Sequence, residues 1–263
     1  MAALEFIDSV VRFGDATILG GASLRIEPGE FVSVVGPTGC GKSTLLNLAA
    51  GLLAPSGGGV KSLGAEVTNI NRQAGYLFQG ESLMPWRNAR DNIAAGLQFA
   101  GTPMPEARRR ADAWLDRVGL HGAGDKYPHQ MSGGMRKRAQ LAQMLILDPP
   151  ILLMDEPFSA LDVQTRLMME NELLALWQGG EGARKTVLFI THDLEEAISL
   201  SDRVVVLSAG PSTKPIAEFA IDLPRPRDVA EIRHTHGFQD LHAKIWAVLR
   251  DEVLKTYRRS VAA

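Results

Sequence analysis

Three things are scarce in the 263-residue chain: cysteine, long apolar runs and an excess of charge of one sign. The single cysteine, Cys40, cannot form a disulfide within the chain, which favours a reducing compartment. No segment approaches the roughly 20 apolar residues that cross a bilayer, and the N-terminus lacks the basic and apolar regions of a secretory signal. We therefore expect any membrane role to depend on a partner.

The charges nearly cancel, with 28 basic and 30 acidic residues and a formal net charge of -2. Such a balance gives no electrostatic footprint for nucleic acid, so we predict no nucleic-acid partner. The basic triplets at 108–110 and 136–138 are interpreted as solvated helix faces instead. The length and a 45% hydrophobic share favour a large buried core, and we expect one domain spanning 1–263.

Short apolar runs predict an α/β fold. Polar residues are nearly absent from FVSVV, ILLM, TVLFI and RVVVLS, which begin at Phe31, Ile151, Thr186 and Arg203. Strands of this kind are buried on both sides in a largely parallel sheet covered by helices. A mostly helical subdomain is predicted from about 80 to 140, and a C-terminal extension with a terminal helix from about 211 to 263.

The first of these runs leads into a glycine-rich loop and then a helix. The loop sequence GPTGCGKST matches the P-loop pattern of glycine, four residues, glycine, lysine and serine or threonine. In such a loop the backbone N–H groups surround phosphates, Lys42 neutralises their oxygens and the Ser43 hydroxyl ligates magnesium. We predict a nucleotide site formed by Gly36, Pro37, Thr38, Gly39, Cys40, Gly41, Lys42, Ser43 and Thr44.

Two other strand ends supply acids and a histidine. Asp155 ends a buried strand, where its carboxylate would lie near magnesium, and the adjacent Glu156 can polarise a water for attack on the γ-phosphate. His192 follows TVLFI at the same edge of the sheet, where ligands of open α/β sheets bind. Taken alone His192 also fits a structural role, but its position favours a γ-phosphate contact. Together with the P-loop these residues predict a hydrolytic centre.

A second glycine-rich helix start, QMSGGM, has no evident ligand. Ser132 is a good N-cap, whereas Gly133 and Gly134 are poor helix formers that permit close approach to the backbone. Helix N-termini attract anions, phosphate among them. Because the chain has a stronger phosphate site elsewhere, the residues alone do not say what this start binds.

Taken in order, the motifs resemble those of the ATP-binding cassette (ABC) family of transporter ATPases over nearly the whole chain. The resemblance is carried by GPTGCGKST, YLFQ, MSGGM, ILLMDEP, SALD and THD. It implies a P-loop NTPase (RecA-like) core with a largely parallel sheet, an antiparallel β subdomain near the N-terminus and a helical signature subdomain. It also implies ATP and Mg²⁺ as cofactors.

In this family the signature start binds the γ-phosphate of ATP held by a second subunit. The resemblance therefore implies a homodimer with two composite sites. Each site would be completed from the opposite subunit by Ser132, Gly133, Gly134 and Met135. It further implies that Gln79 joins the core to the helical insertion and reaches toward magnesium and the attacking water. The predicted catalytic residues are then Glu156, His192, Gln79 and Lys42. Asp162, in SALD, would lie at the dimer seam.

One aromatic assignment and two departures from the family pattern follow. Phe13 looks like the aromatic that stacks on adenine, although a phenylalanine near a strand end also fits the core. Met131 replaces the usual leucine of the signature, and Met135 replaces glutamine. Because serine and glycine carry the phosphate contact, we expect activity to be retained, with contacts near the ribose altered.

Three further segments resemble the nitrate, sulfonate and taurine type of importer: LMPWRNARDNIAAGL, DLEEAISLSDRVVVLS and DLPRPRD. That resemblance implies a peripheral protein at the cytoplasmic face of the inner membrane. Its partners would be two transmembrane permease subunits and, indirectly, a periplasmic or lipid-anchored solute-binding protein. The apolar stretch from Leu83 to Trp86 would dock on the permease, or Trp86 would close the core of the helical subdomain.

The alternative is a soluble ABC ATPase acting on nucleic acid or ribosomes. Chromosome-maintenance members interrupt the cassette with long coiled coils, and translation-associated members carry two cassettes. Neither feature occurs in this sequence. A P-loop kinase would leave the SGGM start without a purpose. The importer is therefore the favoured interpretation.

Overall fold

The computed structural model describes residues 1–159, 161–178 and 184–262. Within them the strands are β1 (Leu4–Phe13), β2 (Ala16–Ile26), β3 (Phe31–Val35), β4 (Gly57–Ser62), β5 (Ala65–Glu66), β6 (Ala74–Leu77), β7 (Ile151–Asp155), β8 (Thr186–Ile190), β9 (Arg203–Leu207) and β10 (Pro215–Ala220). The helices are α1 (Lys42–Ala49), α2 (Ala89–Phe99), α3 (Met104–Arg117), α4 (Gly133–Leu145), α5 (Val163–Gln178), α6 (Leu194–Leu200), α7 (Val229–Ile232) and α8 (His236–Ala262).

The larger sheet has the strand order β10-β9-β3-β8-β7-β6. In this order the five strands β9, β3, β8, β7 and β6 are parallel to one another, and the edge strand β10 pairs antiparallel with β9. The four apolar runs of the sequence form β3, β7, β8 and β9, and β3, β7 and β8 are buried throughout. Strands covered on both faces keep few polar residues, so the predicted α/β fold with a largely parallel sheet is confirmed.

The smaller sheet is antiparallel, with the order β2-β1-β4-β5. Its apolar face packs on α1 and on one face of the larger sheet. Phe6 and Leu19 from the smaller sheet share a buried cluster with Leu45 of α1 and with Val34 and Leu153 of the larger sheet. This packing fixes the end of β1 beside the glycine-rich loop between β3 and α1.

Helices α2, α3 and α4 form a group with its own apolar cluster, including Ile93, Ala107, Leu115 and Ala139. In the segment PEARRRADAWLDRVGL, Ala107, Ala111, Leu115 and Val118 recur at helical spacing and are buried in this cluster, while the half-buried Trp114 packs against it. Helix α4 continues to Leu145, past the predicted limit near 140. The subdomain boundaries stay a prediction.

Helices α7 and α8 follow the edge strand β10. Phe238, Ile245 and Leu249 of α8 are buried in a cluster with residues of α6 and β9. Among the described residues no helix is long and apolar enough to span a membrane.

Candidate nucleotide-binding site

The P-loop connects the end of β3 to Lys42, the first residue of α1. Gly39 and Gly41 have φ of +75° and +102°, which disfavour other residues. A Cβ on Gly41 would also lie 2.8 Å from Ile18 Cγ2. The buried Lys42 donates hydrogen bonds from Nζ to the carbonyl oxygens of Gly36 (2.9 Å) and Pro37 (3.0 Å). The amine therefore lies across the loop that the sequence predicts to hold phosphates.

Asp155 ends β7 beside this loop and is buried. Burial raises the pKa of its carboxyl group, while a hydrogen bond with Ser43 opposes the rise. The same surroundings raise the pKa of Tyr76, through burial and then through the negative charge of Asp155. A buried carboxylate next to a hydroxyl is a set of oxygen donors that suits Mg²⁺. The residues present therefore fit that ion.

Gln79, Glu156 and His192 meet although they come from three distant segments. Glu156 Oε2 accepts a hydrogen bond from Gln79 Nε2 at 3.2 Å and lies 3.1 Å from His192 Nδ1. Glu156 has φ of 43°, an uncommon conformation for a residue with a side chain, and its N–H donates to the Ile190 carbonyl at 2.9 Å. Strained backbone of this kind clusters at functional sites. The amide and the imidazole thus hold the carboxylate at the sheet edge.

These residues line one cleft of about 580 Å³, within the range of ligand sites. The cleft is lined by Phe13, Ile18, Thr38, Gly39, Gly41, Lys42, Ser43, Thr44, Gln79, Glu156 and His192. Phe13 is 56% exposed at the end of β1, so it is not a core residue. Its stacking on adenine stays a prediction. The parallel sheet, the P-loop and this cleft define a P-loop NTPase.

The signature start faces another part of the surface. Ser132 caps α4, its Oγ accepting from the Met135 N–H at 3.2 Å, while Met131 before it is buried. Ser132 and Gly133 are exposed, and a Cβ on Gly133 would meet no atom within 4 Å. A Cβ on Gly134 would lie 2.8 Å from Thr165 Cγ2. The signature residues do not line the P-loop cleft.

Asp162 lies close to the signature start through Thr165. The Asp162 carboxylate accepts a hydrogen bond from the Thr165 N–H at 3.0 Å at the start of α5. This bond lowers the pKa of the Asp162 carboxyl group. Its place at a dimer seam stays a prediction.

Sequence reasoning missed the role of the second basic triplet. The residues at 108–110 are exposed as predicted, but those at 136–138 are half-buried and bonded within the chain. Lys137 Nζ donates to the carbonyl oxygens of Phe78 (3.1 Å) and Gln79 (3.4 Å). Burial lowers its pKa to about 8. The solvated-face interpretation is therefore wrong for this triplet, because α4 packs against the segment that carries Gln79.

Comparison with known proteins gives the family. The ABC transporter family profile matches residues 19–159, more than half of the chain. An uncharacterised ABC transporter ATP-binding protein of Methanocaldococcus jannaschii is 46% identical over 241 residues, which are 91% of this chain and 87% of that protein. The taurine import ATP-binding protein of Escherichia coli (strain K12) is 44% identical over 199 residues, 76% of this chain and 77% of that protein.

Two further relatives are informative. The nitrate import ATP-binding protein of Synechococcus elongatus is 42% identical over 241 residues, 91% of this chain and 36% of that protein. A solved dimeric ATP-binding cassette, in a post-hydrolysis state bound to ADP and Pi, has a TM-score of 0.73 and 28% identity, covering 84% of this chain and 100% of that one. The chain belongs to the ABC transporter family and is an ATPase.

Proposed function

We propose that this chain is the ATP-hydrolysing subunit of an ABC importer for a small solute of the nitrate, sulfonate or taurine kind. The observation that carries the hydrolytic part is the contact of Gln79 and His192 with Glu156 at the edge of the P-loop cleft. Similarity to a taurine and a nitrate import protein supports the importer part.

ATP binding rests on the cleft. Phe13, exposed at the end of β1, stacks on the adenine, and the P-loop N–H groups surround the phosphates. The Lys42 ammonium, which bonds two loop carbonyls, exchanges them for phosphate oxygens. A charged group that is already buried needs little further desolvation to make this contact. Ser43, Asp155 and Gln79 would hold Mg²⁺, which when bound neutralises phosphate charge.

Hydrolysis rests on Glu156. Its carboxylate orients the water that attacks the γ-phosphate and takes a proton from it. Gln79 donates to the same oxygen and so limits the carboxylate to few orientations. His192 contacts that oxygen from the other side and, being exposed, can reach the γ-phosphate. Positioning and electrostatic stabilisation of this kind account for most of the catalysis of phosphoryl transfer.

The complete site requires a second subunit. Ser132 and Gly133 are exposed and do not line the P-loop cleft of their own chain, so they can contact the γ-phosphate on a partner's P-loop. Two-fold pairing then gives two composite sites, with Gly134, Met135 and Asp162 at the seam. The solved dimeric cassette supports this arrangement.

The transport partners are two permease subunits and, indirectly, a periplasmic or lipid-anchored solute-binding protein. The chain would be peripheral, at the cytoplasmic face of the inner membrane. Trp86 is 72% exposed, which excludes it from the core of the helical subdomain and supports a docking role. Leu83 of the same stretch is buried and holds the segment to that subdomain.

Glu156→Gln tests the hydrolytic assignment. The amide keeps the shape of the side chain but loses its basicity, so we expect ATP to bind as before while phosphate release falls by about 10²- to 10⁴-fold. The variant should also form dimers on adding ATP. Steady-state hydrolysis at the wild-type rate, in protein free of wild-type contamination, would remove Glu156 from this role.

A pull-down tests the importer. The tagged chain, purified from detergent-solubilised membranes of its own cells, should bring down multi-span membrane proteins in two copies per dimer. Recovery of ribosomes or DNA, with no membrane protein, would instead support the soluble ATPase.

A further inference from the structure

Arg166, on the first turn of α5, joins the loop before α5 to the loop before α6. Its Nη2 donates to the carbonyl oxygen of Leu161 at 3.3 Å, and its own backbone N–H donates to that of Asp162 at 2.9 Å. Its Nη1 donates to Asp193 Oδ2 at 3.1 Å. The guanidinium thus bonds the loop before α5 and the loop before α6 at once.

The loop before α6 carries His192, and both neighbours of His192 belong to the same network. Thr191 Oγ1 donates to Glu196 Oε2 at 2.6 Å and accepts from the Asp193 N–H at 3.0 Å. Glu196 is buried, and its second oxygen lies 3.8 Å from Arg166 Nε. The backbone on each side of His192 is therefore tied, within one or two contacts, to Arg166.

A guanidinium suits this task because its donors lie in a rigid plane and can serve several acceptors in fixed directions. A lysine ammonium has one nitrogen on a flexible stem and cannot reach the Leu161 carbonyl and the Asp193 carboxylate in the same way. The side chains of Arg166 and Asp193 are only about a quarter exposed, at 26% and 28%, so removing one partner leaves the other partly desolvated and costs stability. The arrangement therefore fixes the relative position of the two loops.

We infer that Arg166 is a positioning residue: it ties the turn that carries His192 to the turn that ends at Asp162. The inference rests on the proposed function, in which His192 acts at the γ-phosphate and Asp162 lies at the dimer seam. Closure of the dimer on the Asp162 turn then fixes His192 against Glu156. Arg166 itself does not line the P-loop cleft.

Arg166→Gln and a matched control test the inference. The control is Arg225→Gln, because Arg225 also bonds a carbonyl oxygen, of Leu200, and a carboxylate, of Asp202, each at 2.8 Å. Asp202 accepts from the N–H of Phe31 at the start of β3, so this pair lies at the opposite edge of the sheet from the cleft. Both variants should lose thermal stability.

Only Arg166→Gln should lower kcat, by about 10- to 100-fold as expected for a misplaced catalytic group, with KM for ATP within about twofold of wild type. Arg166→Lys covers the case in which the glutamine variant does not fold. It keeps the positive charge and should lose kcat to a smaller extent, again at unchanged KM.

A double-mutant cycle then identifies the group through which Arg166 acts. In a His192→Ala background, itself slowed, Arg166→Gln or Arg166→Lys should reduce kcat by less than about twofold further. A full, multiplicative loss there would overturn the inference, as would a loss in the wild-type background no larger than that of Arg225→Gln. If His192→Ala keeps wild-type kcat, the assigned role of His192 falls and the inference with it. If His192→Ala is slow while Arg166→Gln is not, only the inference falls.

Discussion

Two helices of this protein begin with glycine-rich loops, and the two starts differ in what completes them. Helix α1 begins after Gly41, which has a left-handed backbone conformation and provides no side-chain cap. The side chain of Lys42 crosses the loop before this helix and donates to the carbonyl oxygens of Gly36 and Pro37. Helix α4 begins after Ser132, whose hydroxyl caps the helix, and the space beside Gly133 is open. Lys42 is buried, whereas Ser132 and Gly133 are exposed.

In the proposed function the two starts differ in which chain supplies the phosphate. At α1 the cation, the hydroxyl and the buried Asp155 all belong to the same subunit as the P-loop. At α4 Gly133 lines a small cleft with Glu81, Arg136 and Lys137, apart from the P-loop cleft, and the phosphate would come from the partner subunit. Variants at the two starts should therefore fail in different ways.

Of the two helix starts, the start of α1 is expected to show the larger effect. Lys42→Ala removes the cation from the phosphates, and a hydrogen bond to a charged group is worth about 1.5–3 kcal/mol, so ATP affinity should fall about 10- to 100-fold. Hydrolysis should fall at least as far. Nucleotide titration and phosphate release measure both, with the exposed Lys61→Ala as a control that changes neither. Unchanged affinity in Lys42→Ala would contradict the P-loop assignment.

The start of α4 calls for Gly133→Asp rather than a change at Gly134. An aspartate at 134 would meet Thr165 and disturb the chain itself, whereas the space at 133 is open. A carboxylate in the first turn suits the helix dipole, so folding should be kept. It would repel a partner's γ-phosphate by several kcal/mol, and hydrolysis should fall at least about tenfold while ATP still binds the intact P-loop.

Mixing the two variants sharpens this prediction. A heterodimer of Gly133→Asp with Lys42→Ala has one site with both defects and one with neither, so some hydrolysis should return if a single site can turn over. ATP-dependent dimerisation of Gly133→Asp, measured by light scattering, provides the check if it does not. Dimerisation as tight as that of wild type would contradict the proposal that the start of α4 contacts the γ-phosphate bound to the neighbouring subunit.

A smaller effect is expected at Trp86, outside both helix starts. Because the side chain is exposed, Trp86→Ala should change the free energy of unfolding by less than about 0.5 kcal/mol and leave ATP affinity unaltered. Co-purification with membrane subunits should weaken several-fold. Ile70→Ala, another exposed apolar position, should leave co-purification as it was. Equal losses in both variants would argue against specific docking at Trp86.

The smallest effect concerns pH and stability rather than either start. Burial raises the pKa of Glu170 to about 8, although the positive charge of the nearby Arg233 acts to lower it. Folding therefore favours the protonated acid, and its contribution to stability is lost as pH rises from about 4.5 to about 8. Glu170→Gln, which still accepts from Arg233, should gain Tm relative to wild type across this range. If the Tm of wild type and that of Glu170→Gln change in parallel from pH 5 to 8, the raised pKa of Glu170 is contradicted.

The sequence predicted the elements whose burial is local in origin. Apolar runs gave β3, β7, β8 and β9, and the P-loop pattern fell between a strand and a helix as expected. The sequence did not decide whether Phe13 and Trp86 lie in the core or at the surface, because a single aromatic residue gives no periodic pattern that would indicate its burial. The structure exposes both. It also leaves the three residues at 136–138 half-buried, because α4 packs on a segment nearly sixty residues earlier.

By itself, then, the sequence determined the α/β class, the phosphate loop and the two helix starts, because each is written in neighbouring residues that fix backbone conformation and burial. Only the tertiary structure decided that Gln79 and His192 meet at Glu156, that Lys137 bonds the Gln79 segment and that Arg166 ties two loops together. Those contacts join residues brought together by parallel strands and crossover helices, and no periodicity along the chain records which strand ends will be neighbours.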